Sequence, residues 1–559
     1  MLNLNQKGFH KSHGDNQVKK SLIAYLTASI VVKRLTAFGV LAFIAAFALI
    51  GLLLAGSSSN TSSIVHPHDR SFVGPSYYSQ FSNGPSTRMN YFPIGAWQED
   101  ITGTTGAALA QRTAAMGVNF LDMESNACSV DLDAAHTNGL TMQATYSSPS
   151  HTCPGSPCGS ITHPLGCFSG VLNSDDLWGH TLYDEPNTWS YPYAMETCAN
   201  RPPILSDPSQ DTCAKLAIDN TAALSAADPG RLIFGTLTKD LFPWEEYPPP
   251  GWDTANCGTG TNVPVTNGPR GGTTNWRNCF EKHQSMLMSG MSILAADIYG
   301  WTDPYEGSDS EIARTGSCGH CGAWVDAYAL DRLRYYRSGI PVLAFLSLTH
   351  SDHNSMVDTP AMIDADVWDA IAHGARGIIW WTADLASDAP HTPIAGMNCS
   401  SYWDAICDSF WRSNYDAAKK ADAQIKNNAV ALNSPTVTGC SATMASGTPS
   451  GTPFATLCKN INGSGQLWML VTADGDINRQ MSNTTTATAN ITLPNEIPAG
   501  TVLDVLGENR TVTVNSRHQF TDTFGTVSIS HGADWTCGCT VTFGYQHHIY
   551  IMETSGLSS

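Results

Sequence analysis

The sequence predicts an α/β protein, a (β/α)8 TIM barrel followed by a C-terminal β-sandwich. Two observations carry this. Between Tyr91 and Leu385 eight short apolar runs alternate with helical stretches, and past Pro435 the helical pattern gives way to short strands separated by turns. The length of 559 residues suits one large domain and a smaller one, at about 100–200 residues per domain with barrels running longer.

The elements follow in order. Residues 1–34 form a basic leader in which Lys7, Lys11, Lys19, Lys20, Lys33 and Arg34 face a single acid, Asp15. Residues 35–56, "LTAFGVLAFIAAFALIGLLLAG", carry no charge and have the length of a bilayer span. The positive-inside rule keeps the N-terminus in the cytoplasm and exports the rest, as a single-pass anchored protein or, if the run is a cleaved signal, a secreted one. Residues 57–88 are rich in Ser, Asn, Gly and Pro and read as a linker. The barrel is expected over 89–434. Its strands are "YFPIGAW", "VNFLDME", "LTMQATY", "HTLYDEP", "RLIFGTL", "ILAADIYG", "IPVLAFLSLTH" and "RGIIWWTADL", most of them apolar on both faces as in a helix-covered parallel sheet. The sandwich is expected over 435–559, with strands in "LWMLVTADG", "ATANITLP", "TVLDVLGENRTVTV", "GTVSIS" and "TVTFGYQHHIYIM".

Composition narrows the partners. A net charge of −19 without a basic stripe opposes phosphate backbones and excludes nucleic acid. All 16 cysteines lie beyond the apolar run, and an even number in an exported chain reads as a disulfide framework. "CGHC", Cys318 to Cys321, has redox spacing but no surrounding thioredoxin-like βαβ unit, so a structural bridge is expected there. Asn-x-Ser/Thr sequons at Asn60, Asn398, Asn462, Asn483, Asn490 and Asn509 make a glycoprotein if the host modifies them.

In such a barrel, functional groups gather at the C-terminal ends of the strands. Those ends carry Glu99 and Asp100, Asp122 and Glu124, Asp184 and Glu185, Asp240, Asp297 and Tyr299, Ser347 and His350, then Trp380, Trp381 and Asp384. Trp97 and Trp301 fall beside them. Such an acidic, aromatic mouth suits a sugar, whose C–H faces lie on rings while its hydroxyls bond carboxylates. No Gly-x-Ser-x-Gly elbow, P-loop or His-Glu-x-x-His pair is present, and no cofactor is expected. "HSDH", His350 to His353, lacks a companion cluster at ligand spacing and reads as a polar loop rather than a metal site.

The pieces "YFPIGAWQED", "MGVNFLDME", "LYDEPN", "AADIYGW", "IPVLAFLSLTH", "DAIAHGARGIIWW", "VLGENRTVTV", "FTDTF" and "HHIYI", in that order from Tyr91 to Met552, resemble the (β/α)8 glycoside hydrolases of the large clan that includes cellulases and β-galactosidases. The likeness is to a bacterial branch with a "DEP" end to strand four. The resemblance implies that Glu185 is the general acid/base and that Asp184 stands where many members have an Asn that bonds the sugar. It implies Tyr299 and Trp380 or Trp381 as site aromatics. Trp97, Glu124, Trp301, Ser347 and His350 complete the expected substrate-binding set.

Strand seven departs from that pattern. Relatives carry a Glu nucleophile where this chain reads "AFLSLTH", so Ser347 takes its place. A serine without a base is too weak a nucleophile. An inverting reaction with Asp122, Glu124, Asp297 or Asp384 as base, a substrate-assisted reaction using Asp184, or binding without cleavage remain open. The expected protein is an extracytoplasmic glycoside hydrolase. The alternatives are a carbohydrate-binding pseudoenzyme and a structural surface protein.

Overall fold

The computed structural model describes residues 74–98, 103–123, 129–145, 174–181, 212–237, 284–298, 323–348, 359–381, 411–445, 454–463, 465–473, 486–530, 540–544 and 546–552. All belong to one compact unit, Val65–Ser559. The predicted leader and apolar run lie outside them. Among the described residues no helix is long and apolar enough to cross a membrane.

Eight parallel strands close into a barrel in chain order: β1 (Ile94–Gln98), β2 (Phe120–Met123), β3 (Thr141–Thr145), β4 (Leu177–Thr181), β5 (Leu232–Leu237), β6 (Ile293–Ala296), β7 (Val342–Ser347) and β8 (Ile378–Trp381), with β8 pairing back onto β1. Helices α1 (Gly103–Met116), α2 (Ser129–Thr137), α3 (Thr212–Ala227), α4 (Ala323–Tyr336), α5 (Pro360–Ala372) and α6 (Trp411–Leu432) accompany them. Strand four departs from the sequence reading. It begins at Leu177, three residues earlier than "HTLYDEP" suggested, and is described as far as Thr181, with Asp184 and Glu185 outside the described residues. Its first half was hidden by Asp175, Asp176 and Gly179 interrupting the apolar run.

Alternate residues of each strand face the axis. Phe120, Trp178, Leu232, Phe234, Ile293, Ala295, Leu343, Phe345 and Ile379 form one apolar cluster there. Phe120 meets the edge of Trp178 with ring centres 4.8 Å apart. Gly95 makes this packing possible, since a side chain on it would strike the Phe120 ring. Tyr78 joins the cluster from the 3-10 turn Pro75–Gln80, with Tyr77 and Phe81 packed alongside. The Tyr77 hydroxyl fastens this plug to the carbonyl of Ser292, just before β6, at 2.6 Å. That closes the N-terminal end of the barrel and leaves the C-terminal end as the mouth.

The outward residues, among them Leu121, Met142, Ile233, Leu294, Leu346 and Trp380, pack beneath the helices. Trp380 donates its indole N–H to Oδ1 of Asp422 on α6 at 3.0 Å. Gly117, at φ +127°, brings its backbone so close to Asp422 that a Cβ would stand 2.7 Å from the aspartate Cβ. Asp422 is fully buried. Burial pushes its carboxyl up to about 8, against the opposing pull of the Trp380 hydrogen bond and the Lys426 charge.

This raised value gives a pH dependence of definite sign. The unfolded chain releases the proton near pH 3.8 and the folded chain holds it to about 8. The stability contributed is therefore full below about 3.8 and is lost as pH rises through about 8. Asp422→Asn keeps an acceptor for Trp380 and has no proton to lose. It should stabilise the protein progressively from pH 5 to pH 8.5, by at most ~5 kcal/mol. Thermal melts of both proteins at the two pH values check this, and parallel shifts would defeat it.

The second layer comprises β9 (Ser441–Met444), β10 (Phe454–Asn460), β11 (Leu467–Ala473), β12 (Ala487–Thr492), β13 (Val502–Val505), β14 (Arg510–Thr513), β15 (Gln519–Phe524), β16 (Thr526–Ser530), β17 (Thr540–Gly544) and β18 (His547–Ile551). A five-stranded sheet ordered β10-β11-β18-β13-β14 accompanies a three-stranded sheet ordered β15-β12-β9, with β16 and β17 as a separate pair. Alternating residues of both sheets, such as Met469, Ile491, Val505 and Phe520, share one core. The disulfide Cys440–Cys458 ties the residue before β9 to β10, one in each sheet. The other cysteine side chains, including those of Cys318 and Cys321, lie outside the described residues.

Three motifs quoted from the sandwich sequence meet in space. Arg510 bridges Glu508 at 2.7 Å and Asp522 at 2.8 Å, His548 meets Glu508 at 2.5 Å, and Tyr550 donates to Asp522 at 2.8 Å. This is a mutually satisfied charged network spanning the two sheets, which explains its residues without a catalytic role. The sandwich also shares the barrel's outer core, to which Leu457, Trp468, Leu470 and Ile549 contribute. His547 stacks on Trp368 of α5 with ring centres 4.8 Å apart and pairs with Asp364 at 3.1 Å. Covered by the barrel on one side and the sandwich on the other, α5 is buried from Met362 to Ala372 apart from Asp364. Thr359 caps it and Pro360 opens it.

Candidate functional site

Above the apolar axis the inward positions turn polar. Continuing the alternation toward the C-terminal ends brings Asp122 on β2, Gln143 on β3, Thr181 on β4, Thr236 on β5, Asp297 just past β6 and Ser347 on β7 to the interior, all buried. Trp97 of β1 and Trp381 of β8 complete the ring. Register sets the neighbours: Trp97 lies opposite Asp122, Asp122 opposite Gln143, Ser347 opposite Trp381, and Trp381 opposite Trp97. Trp97 rests edge-on against Phe345 at 5.7 Å, so the two indoles stand on the apolar floor.

One part of the ring is knitted together. Gln143 donates its side-chain amide to Asp122 Oδ1 at 3.0 Å and to Thr181 Oγ1 at 2.5 Å. Both amide hydrogens are spent, so the orientation of Gln143 is fixed across three strands. A register shift between β3 and β4 contributes to the geometry. Met142 pairs with Leu177 and Gln143 with Gly179, so Trp178 is an extra, bulged residue. Trp178 and Thr181 can then both face inward, while His180 faces out.

His180 is no part of the mouth. Its Nε2 meets Asp228 at 2.8 Å, and Arg231 bonds the same carboxylate at 3.0 Å. Burial lowers the imidazole's proton affinity and prevails over the raising effect of Asp228. The group fastens β4 to the start of β5, where Arg231 also donates to the carbonyl of Leu177.

Of the residues singled out by sequence, Trp97, Ser347 and Trp381 stand together at the mouth. Trp380 is corrected: it lies on the outer face of β8, fully buried and bonded to Asp422, because strand neighbours point to opposite faces. Asp122 and Asp297, named as possible bases, both belong to the ring. Glu124, Asp184, Glu185, Tyr299, Trp301, His350 and Asp384 lie outside the described residues. Gln143, Thr181 and Thr236 escaped sequence reading. The only signal was a polar side chain inside runs read as apolar on both faces. Among the described residues no group of His, Cys, Asp and Glu is arranged to hold a metal ion.

These features define a (β/α)8-barrel protein with a C-terminal β-sandwich and a mixed polar and indole mouth. No family model matches the chain, and no curated protein does. Solved structures show a distant likeness. The endo-beta-1,4-mannanase from Thermotoga petrophila aligns at 10% identity over 84% of this chain and 98% of its own, with a TM-score of 0.38. An Anoxybacillus alpha-amylase aligns at 9% identity over 84% of this chain and 100% of its own, with a TM-score of 0.40. A truncated 3-deoxy-D-arabino-heptulosonate 7-phosphate synthase from Thermotoga maritima aligns at 11% identity over 62% of this chain and 88% of its own, with a TM-score of 0.30. At such identities and TM-scores the chemistry has to be argued from this chain's own residues.

Proposed function

We propose that the chain is a glycoside hydrolase that acts outside the cytoplasm on an oligosaccharide or polysaccharide, with Glu185 as general acid/base and Asp184 assisting. The observation that carries the reading is the ring at the barrel mouth. Carboxylates, an amide and hydroxyls stand beside two indoles on an apolar floor, the combination a sugar ring needs for its hydroxyls and its C–H faces. Glu185 comes four residues after Thr181 of β4 in the sequence, and such folds gather their catalytic groups beyond the C-terminal ends of their strands. The apolar run 35–56 and the basic residues before it support placement at the cell surface, held by a single span with the N-terminus inside.

Ser347 favours a second reading, a carbohydrate-binding pseudoenzyme that uses the same mouth. The test is a panel of aryl glycosides and polysaccharides presented to the full-length protein in detergent, with sugar release and glycan binding both measured. Release supports the hydrolase. Binding without release supports the pseudoenzyme, and the absence of both release and binding defeats both readings.

A further inference from the structure

Resting on the hydrolase reading, we propose that Asp122 is the second catalytic carboxylate and acts as the general base of an inverting hydrolysis, with Gln143 as its positioning residue and the β3–β5 wall holding the attacking water. A chain with serine at the strand-seven position has to find its second group elsewhere. Asp122 is a carboxylate in the barrel interior, it lies at the C-terminal end of a strand, and Gln143 fixes it in place. It is fully buried, and Gln143 holds its Oδ1 at 3.0 Å while bonding Thr181 one strand further on.

The wall beside it is built for a polar occupant. Among the described residues Gln143 Oε1, Trp178 Nε1 and Thr236 Oγ1 have no hydrogen-bond partner, although each atom is sealed from solvent. Leaving such a group unmet is unfavourable, because the hydration it loses on burial is not replaced. They sit on the consecutive strands β3, β4 and β5, whose inward faces adjoin. Gln143 Oε1 and Thr236 Oγ1 lie among the polar inward positions and offer an acceptor and a hydroxyl to a polar occupant, whereas Trp178 Nε1 belongs to the apolar floor below them.

The step balances as follows. The acid assigned to Glu185 protonates the departing glycosidic oxygen as the bond to the anomeric carbon breaks. The water oxygen forms a new bond to that carbon from the opposite face, and its proton passes to Asp122. β2 and β4 are separated by β3 alone, about two strand spacings of ~4.8 Å. Inversion, unlike double displacement, works through a water held between the acid and the base.

The test uses the full-length protein and a glycoside it cleaves. The first-formed product of the natural protein, followed by NMR, should have the anomeric configuration opposite to the substrate's. Asp122→Asn should lower kcat at least ~10²-fold with an unchanged melting temperature, and azide should restore turnover to Asp122→Gly. Gln143→Leu should lower kcat with little change in KM and move the acidic limb of the pH–rate profile, a displacement that loss of packing alone would not cause. Retention of configuration overturns the proposal whatever the variants do, even if one fails to fold. So does an Asp122→Asn protein within tenfold of natural activity. If the natural protein cleaves and Glu185→Gln is inactive while either of those results appears, only the role of Asp122 falls. If no glycan is cleaved, the hydrolase reading falls with it.

Discussion

Glu185→Gln is expected to slow hydrolysis at least ~10²-fold while leaving glycan affinity close to that of the natural protein. The amide keeps the shape of the acid and removes its proton, so the loss belongs to protonation of the leaving oxygen rather than to binding. The defect should therefore shrink for aryl glycosides whose leaving group departs without a proton. Ser347 supplies the companion measurement. Buried opposite Trp381 at the end of β7, it stands where a nucleophile is expected but has only a hydroxyl to offer. Ser347→Ala should be mild in a working hydrolase. If the natural protein binds glycan without cleaving it and Ser347→Glu creates hydrolysis, the pseudoenzyme reading takes over. An unimpaired Glu185→Gln protein would remove Glu185 from the chemistry altogether.

Trp368→Ala should cost ~3–5 kcal/mol, the range for truncating a buried aromatic, and lower the melting temperature by on the order of 10 °C. Trp368 is wholly buried on α5, where the barrel's outer core meets the sandwich, and its ring carries the stacked imidazole of His547. Its loss opens a cavity between two layers that share one core, so barrel and sandwich should melt together in natural and variant proteins alike. His547→Ala should cost less, since its pair with Asp364 is partly exposed and screened. Alanine at both His547 and His548 should disturb stability more than turnover. Separate transitions for barrel and sandwich, or a Trp368→Ala protein that melts like the natural one, would refute the shared core.

Much of the barrel was legible because a strand covered on both faces has to be apolar throughout. "LIFGTL", "ILAA", "VLAFLS" and "IIWW" are buried at every position, and their runs announce them. "LWGHT" is equally buried, yet glycine and histidine break its run, and its true start needed the pairing with β3. The sandwich was legible in part: β11, β12 and β18 follow apolar or alternating runs, whereas "FATLCKN" and "QFTDTF" are too mixed to stand out.

By itself the sequence determined the number of barrel strands, their order and the place of the sandwich, because burial on two faces writes itself into composition. It also offered the acidic residues at the strand ends as a set, among which only the resemblance singled out Glu185 and Asp184. Only the tertiary structure decided which neighbours look inward. Trp380 and Trp381 are the same residue type in the same run, yet one bonds Asp422 beneath a helix and the other lines the mouth. A strand's side chains alternate with period two, so its sequence fixes two faces but not which of them closes around the axis. That choice belongs to the register of all eight strands, and the same register brings Asp122, Gln143 and Thr181 from three separate runs into one hydrogen-bonded group.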